Sequence, residues 1–134
     1  NDKLLDRIRK SAKEANPECL IIGEVWEDAS NKIAYGQRRR YLQGKQLDSV
    51  MNYPLKNALI EYAATGDAEI LAATLTEIWS IYPRPVCDAL MNIVGTHDTE
   101  RILTVLGACG GQIKPRALDC KNDRRTKDDR KAIS

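Results

Sequence analysis

The sequence predicts an α/β fold built from parallel βα units. Three observations carry this expectation. Along 134 residues, segments alternate as helix, strand, helix, strand, helices, strand, helix, a rhythm that favours parallel strands joined by helical crossovers. The run Cys19-Leu20-Ile21-Ile22-Gly23 is apolar without alternation, as in a strand covered on both faces. The first and third apolar runs are each followed at once by chemically active side chains, which in parallel βα folds collect at the carboxyl ends of strands.

In chain order, Leu4, Leu5, Ile8, Ala12 and Ala15 recur at helical spacing and predict an amphipathic first helix. Asn16-Pro17 ends it, because the residue before a proline avoids helical geometry. The strand Cys19–Gly23 follows. A polar stretch from Glu27 to Gln46 is expected to contain a helix near Asn31 to Gln43. Asp48 to Tyr53 is a second, weaker strand. Pro54 suits the first turn of a helix, and Leu55, Leu59, Ile60 and Ala63 would form its apolar face. Asp67 is placed to cap a helix from Ala68 to Ile81, stopped by Pro83 and Pro85. Leu90 to Val94 reads as the third strand. Glu100 to Leu106 reads as a helix with Gly107 as its end. From Gly107 to Asp123 structural signals are sparse, and Thr126 with Asp129 would start a further helix. A natural domain does not usually stop where an element begins, so the chain is expected to be a piece of a longer protein.

Composition narrows the function. The chain is 43% hydrophobic and 30% charged, with a formal net charge of +2. Such a balance suits a globular protein and argues against a nucleic-acid or membrane partner. Arg38-Arg39-Arg40 and the basic tail are read as solvated surface. Single-stranded nucleic-acid binders interleave such charge with aromatics, yet here aromatic residues make up 5% and Phe is absent. No apolar run is long enough to span a bilayer, and the charged start has no signal-peptide core. Cys19, Cys87, Cys109 and Cys120 form no C-x-x-C pair, and one histidine accompanies them, which disfavours a structural zinc site. Cys19 and Cys87 read as small buried hydrophobes. This cysteine usage points to a reducing compartment, and the cytoplasm is the expected location. Gly107-Ala-Cys-Gly-Gly111 lacks the lysine of a phosphate loop.

The chemistry sits at two strand ends. The first apolar run continues Gly23-Glu24-Val25-Trp26, the third Gly95-Thr96-His97-Asp98. A strand-end glutamate alone is more often a cap or surface acid, and a lone histidine more often a hydrogen-bonded structural residue. Together, Glu24 and His97-Asp98 would project from one face of a parallel sheet. A proton donor at one strand end and a carboxylate with an imidazole at another suit glycoside hydrolysis, which needs an acid for the leaving oxygen and negative charge near an oxocarbenium-like transition state. Trp26 would offer an apolar wall or a surface for a sugar ring. These residues also suggest a metal site, but no paired-ligand spacing supports one.

Three segments resemble a known family. GEVWEDA at residues 23–29 resembles the segment around the general acid/base of α-amylase-family enzymes. NIVGTHDTERIL at 92–103 resembles the segment holding their transition-state-stabilising Asp and its neighbouring His. LDSVMNYPLKNAL at 47–59 resembles the sixth-strand region of the cyclomaltodextrinase, neopullulanase and maltogenic amylase branch. The segments occur in the family's order, and the resemblance covers about Leu4 to Leu106, leaving residues 107–134 as a poorly matched loop and tail.

The resemblance implies a partial TIM (β/α)8 barrel, one domain over residues 1–134 with about three parallel strands from the fifth to seventh βα units. It implies retaining cleavage of α-glucosidic bonds in starch-derived or cyclic maltooligosaccharides. Glu24 would be the acid/base and Asp98 the transition-state-stabilising carboxylate. His97 would bind the same sugar, and Trp26 and Arg101 would shape the site. The family's nucleophilic Asp lies at the end of its fourth strand, before the first matched segment, so the chain by itself is expected to be inactive. No cofactor is expected in this chain, and calcium, where the family uses it, would belong to the rest of the parent enzyme. Exposed strand edges would favour self-association. The alternative reading is a non-catalytic carbohydrate-binding or structural module.

Overall fold

The computed structural model describes residues 2–108. Its elements in order are α1 (Asp2–Ala15), β1 (Ile22–Gly23), β2 (Ile33–Ala34), β3 (Gln37–Arg38), β4 (Ser49–Val50), α2 (Tyr53–Thr65), α3 (Ala68–Ile81), α4 (Arg84–Asp88) and α5 (Ile102–Ala108). The described residues group into two units, one of residues 2–54 with Leu75–Asn92, the other of Leu55–Thr74 with residues 93–108. Cys109, Cys120, the sparse stretch from residue 109 on and the helix start at Thr126 lie outside the described residues.

The first unit holds the parallel strands. β1 and β4 pair in parallel with Ile22 opposite Ser49 and Gly23 opposite Val50. Backbone bonds from Asp48 N to Ile21 O and from Met51 N to Gly23 O, each 2.9 Å, carry the ladder past both ends. The third expected strand, Leu90 to Val94, is reduced to a parallel bridge between Met51 and Met91. Met91 N bonds to Val50 O at 3.1 Å and Asn52 N to Met91 O at 2.9 Å, while Asn92 N turns back to Leu90 O. The run is too tightly turned to extend the ladder. A few parallel strands with flanking helices are therefore present, and the strands are shorter than the apolar runs.

The expected helix near Asn31 to Gln43 is absent. A hairpin of β2 and β3 stands there, paired antiparallel. Its two-residue tip, Tyr35-Gly36, has φ of 55° and 72°, the geometry of a tight hairpin turn that glycine admits and a helix forbids. Arg39 also departs from expectation. It is 7% exposed, 2.9 Å from Asp2 and placed over the Tyr41 ring, so this part of the arginine run is buried.

The first helix ends at Asn16-Pro17 as its sequence predicts, but its apolar face turns inward only in part. Leu5 and Ala12 are half-buried, while Leu4 and Ile8 are 56% and 47% exposed. The half-buried stripe also carries Asp2, Asp6, Arg9 and Lys13, spaced at one helical turn. Asp2 and Asp6 accept from Gln46 Nε2, both at 3.1 Å, and Arg9 and Lys13 meet Asp48 at 2.8 and 3.2 Å. Burial pushes the Asp48 carboxyl up, but the Ile21 N–H and the Arg9 and Lys13 cations outweigh it and hold the group below the ordinary carboxylate range. One carboxylate thus ties α1 to the entry of β1.

Val25, Ala29, Leu42, Leu47, Val50, Tyr53, Ile78, Tyr82 and Val86 form the buried apolar set of this unit. Gly23 lets β1 pass close to Leu47: a Cβ there would lie 2.3 Å from Leu47 Cδ1, so any larger residue needs the Leu47 side chain to move aside. Ser49 Oγ donates to Val86 O at 2.8 Å, fastening β4 to α4. Pro83 and Pro85 do not leave the chain irregular. They flank the start of α4, where a missing N–H costs nothing. Cys19 and Cys87 are free thiols, half-buried rather than fully buried.

In the second unit, Asp67 caps α3 by accepting from Glu69 N at 2.9 Å, as expected. Ala58 and Ile60 are buried, while Ala63 is exposed. Lys56 is also buried. Burial holds its ammonium below the ordinary lysine range, and Glu100 pulls the other way. α5 runs through Gly107 to Ala108, past the expected end. Among the described residues no helix is long and apolar enough to cross a membrane.

Candidate active site

Glu24 follows the last residue of β1, so the strand delivers its carboxyl at the carboxyl end of the parallel ladder. The side chain is exposed. Two donors hold it, Trp26 Nε1 at 3.0 Å and Tyr53 Oη at 3.0 Å, both on Oε1. The Trp26 and Tyr53 rings stack at 4.6 Å between centroids and 12° between planes. Trp26 is thus more than an apolar wall, because its N–H reaches the carboxylate while its face leans on Tyr53.

Tyr53 carries no site signal in the sequence, where it is expected to end a weak strand before Pro54. It is 1% exposed. The signal that would have found it is register. Gly23 opposes Val50, so the chain leaves both strands on the same side, and Tyr53, three residues past Val50 at the start of α2, can reach a glutamate one step beyond Gly23.

The loop leaving Glu24 is braced from below. Asp28 Oδ1 accepts from Ser30 N at 2.8 Å and Oδ2 from Ser30 Oγ at 2.9 Å, a turn typical of aspartate. Lys32 pairs with Glu27. Ala29 N donates to Tyr82 Oη at 3.1 Å. Burial raises the Tyr82 phenol above its ordinary range, partly opposed by that hydrogen bond, so Tyr82 is a neutral acceptor fixing the loop.

His97, Asp98 and Arg101 belong to the second unit. A threonine-closed turn presents the first two. Thr96 N donates to Thr99 Oγ1 at 2.8 Å and Asp98 N to Thr96 Oγ1 at 3.3 Å. His97 Nε2 lies 3.2 Å from Asp98 Oδ2, and the two side chains are 81% and 54% exposed. Arg101 is exposed, and its carbonyl accepts from Thr104 N and Val105 N at the start of α5. A cavity of about 520 Å³ in the first unit is lined by Asp2, Lys3, Tyr35, Gln37 and Arg39, none of them a predicted site residue.

Comparison with known proteins gives concordant matches. The α-amylase catalytic-domain family matches residues 1–121. Neopullulanase 2 of Thermoactinomyces vulgaris is 42% identical over 105 residues, 77% of this chain and 16% of that protein. A cyclomaltodextrinase of Geobacillus thermopakistaniensis is 38% identical over 108 residues, 79% of this chain and again 16% of the relative. Among solved structures, cyclic α-maltosyl-(1→6)-maltose hydrolase from Arthrobacter globiformis in complex with maltose superposes with a TM-score of 0.65 at 28% identity, covering 78% of this chain and 22% of that one. A cyclomaltodextrinase gives 0.65 at 34% identity, covering 78% and 17%. The chain therefore spans about a sixth of the length of the curated relatives it matches.

Proposed function

The chain belongs to the α-amylase family, and from that premise we propose that it supplies the acid/base side of the active site in a retaining glycoside hydrolase. The barrel is a TIM (β/α)8 barrel, to which this chain contributes roughly the fifth to seventh βα units. The substrates are α-glucosidic bonds of starch-derived or cyclic maltooligosaccharides. Support for the substrate class comes from the relatives, a neopullulanase and a cyclomaltodextrinase. The observation that carries the reading is Glu24, at the carboxyl end of β1 with its carboxyl oriented by Trp26 and Tyr53.

In this mechanism Glu24 protonates the glycosidic oxygen as the bond to the anomeric carbon breaks, then takes a proton from the incoming water. Asp98 stabilises the positive charge that develops on the ring. His97 hydrogen-bonds a hydroxyl of the same sugar, and Trp26 and Arg101 shape the surroundings. The nucleophile is a second carboxylate from another part of the enzyme, about 5 Å from the acid as retaining geometry demands.

Glu24→Gln in the complete enzyme tests the reading, because an amide cannot protonate a leaving oxygen. Turnover of maltotriose should fall roughly 10²–10⁴-fold, with substrate binding retained. Near-normal turnover would remove Glu24 from the acid role and favour a carbohydrate-binding module.

A further inference from the structure

Both hydrogen bonds to the Glu24 carboxyl end on the same atom. Trp26 Nε1 and Tyr53 Oη each lie 3.0 Å from Oε1, and Oε2 accepts no hydrogen bond among the described residues. An indole N–H donates and cannot accept. The Trp26 ring is further held by its stack on Tyr53. A proton placed on Oε1 would point at a donor that cannot turn away, so Oε1 stays an acceptor in either ionisation state of Glu24.

We propose that Tyr53, together with Trp26, is a positioning residue that confines the Glu24 proton to Oε2, the oxygen that delivers it to the glycosidic oxygen. This rests on the acid role of Glu24 proposed above. In that step the O–H bond at Oε2 breaks and the proton passes to the glycosidic oxygen. The bond from that oxygen to the anomeric carbon breaks with its electron pair going to oxygen, while the second carboxylate bonds to the carbon. The negative charge left on Glu24 is received by two donors already aimed at Oε1, so no solvent or side chain has to reorganise as it appears. Tyr53, at 1% exposed, is too deeply buried to hold sugar, and its effect on the reaction passes through Glu24.

The test is Tyr53→Phe in the complete enzyme. It keeps the ring and its stack and deletes one donor. On maltotriose kcat should fall about tenfold, with a smaller change in KM. On an aryl maltoside with a good leaving group, the glycosylation step should change less, since that oxygen needs little protonation. The carboxylate loses a donor, so the alkaline limb of kcat/KM against pH should move to higher pH. If Tyr53→Phe does not fold, Trp26→Phe removes the other donor, and the same leaving-group-dependent loss is expected. Unchanged kcat and pH profile in a folded Tyr53→Phe, or equal losses on both substrates, would overturn the proposal. Glu24→Gln runs alongside. Normal turnover in that variant defeats the acid role itself, whereas an inactive Glu24→Gln beside a wild-type-like Tyr53→Phe defeats only the positioning role.

Discussion

At the residue scale, the two groups of candidate side chains are held in different ways. Glu24 is oriented by rigid aromatic donors. His97 and Asp98 are adjacent residues whose side chains face each other at 3.2 Å in an exposed turn. Such a pair costs little to open, and a sugar hydroxyl that inserts between the imidazole and the carboxylate would gain a donor and an acceptor together. A hydrogen bond of this kind strengthens as positive charge grows on the ring. His97→Ala in the complete enzyme is therefore expected to lower kcat about tenfold or more, with a smaller rise in KM. Steady-state kinetics on maltotriose separate the cases. An unchanged kcat with only a raised KM would mean that His97 merely holds substrate.

At the element scale, Asp48 shows how a helix whose apolar face turns inward only in part stays docked. It accepts from Ile21 N at 3.0 Å, from Arg9 and from Lys13. Its side chain is 18% exposed, which places it between a surface pair and a fully buried one. After discounting for solvent screening, Asp48→Asn should destabilise the protein by about 1–2 kcal/mol, read as a lower midpoint in urea. The folded carboxyl lies below its unfolded value, so this stabilisation is present above the unfolded range and fades as pH falls through the folded one. Wild type should thus lose stability below about pH 4, and Asp48→Asn should lose less over that interval. A parallel loss in both proteins would mean that Asp48 is not the titrating tie.

The same scale shows why some elements were legible and others not. α1 and α2 are legible from apolar spacing with Asn16-Pro17 and Pro54, and α3 from its cap at Asp67 and the stop at Pro83 and Pro85, all local chemical signals. The hairpin at Tyr35-Gly36 was missed because a long polar stretch offered no alternation over its two-residue strands. The inward face of α1 is only partly legible because ion pairs stand beside apolar burial there, and the pattern of leucines cannot reveal partners that lie 34 to 44 positions away.

At the scale of the whole chain, the parallel ladder runs β1, β4, then the bridge at Met91. Its outer edges, at β1 and at Met91, carry no strand partner among the described residues. Leu20 and Met91, beside those edges, are 64% and 47% exposed. Unpaired edges flanked by apolar side chains recruit other strands. The isolated 134-residue chain is expected to self-associate by edge contact and to release no reducing sugar from maltooligosaccharides. Sedimentation over the micromolar range checks the first part, where a concentration-independent monomer would contradict it. A reducing-sugar assay on the purified chain checks the second.

What the sequence by itself determined was the parallel α/β class, the family, the end of α1 and the limits of α3, and the placing of Glu24 and of His97-Asp98 just after apolar runs. Each of these is written in consecutive residues, as periodicity, caps or motif. What only the tertiary structure decided was which groups meet. Tyr53 reaches Glu24 across 29 positions because β1 and β4 pair with Gly23 opposite Val50. Arg39 is buried because Asp2 lies beside it, and Asp48 is ionised in place because two cations of α1 converge on it. Strand register and helix docking bring together side chains far apart in the chain, and the energy of those meetings depends on a partner that local pattern does not record.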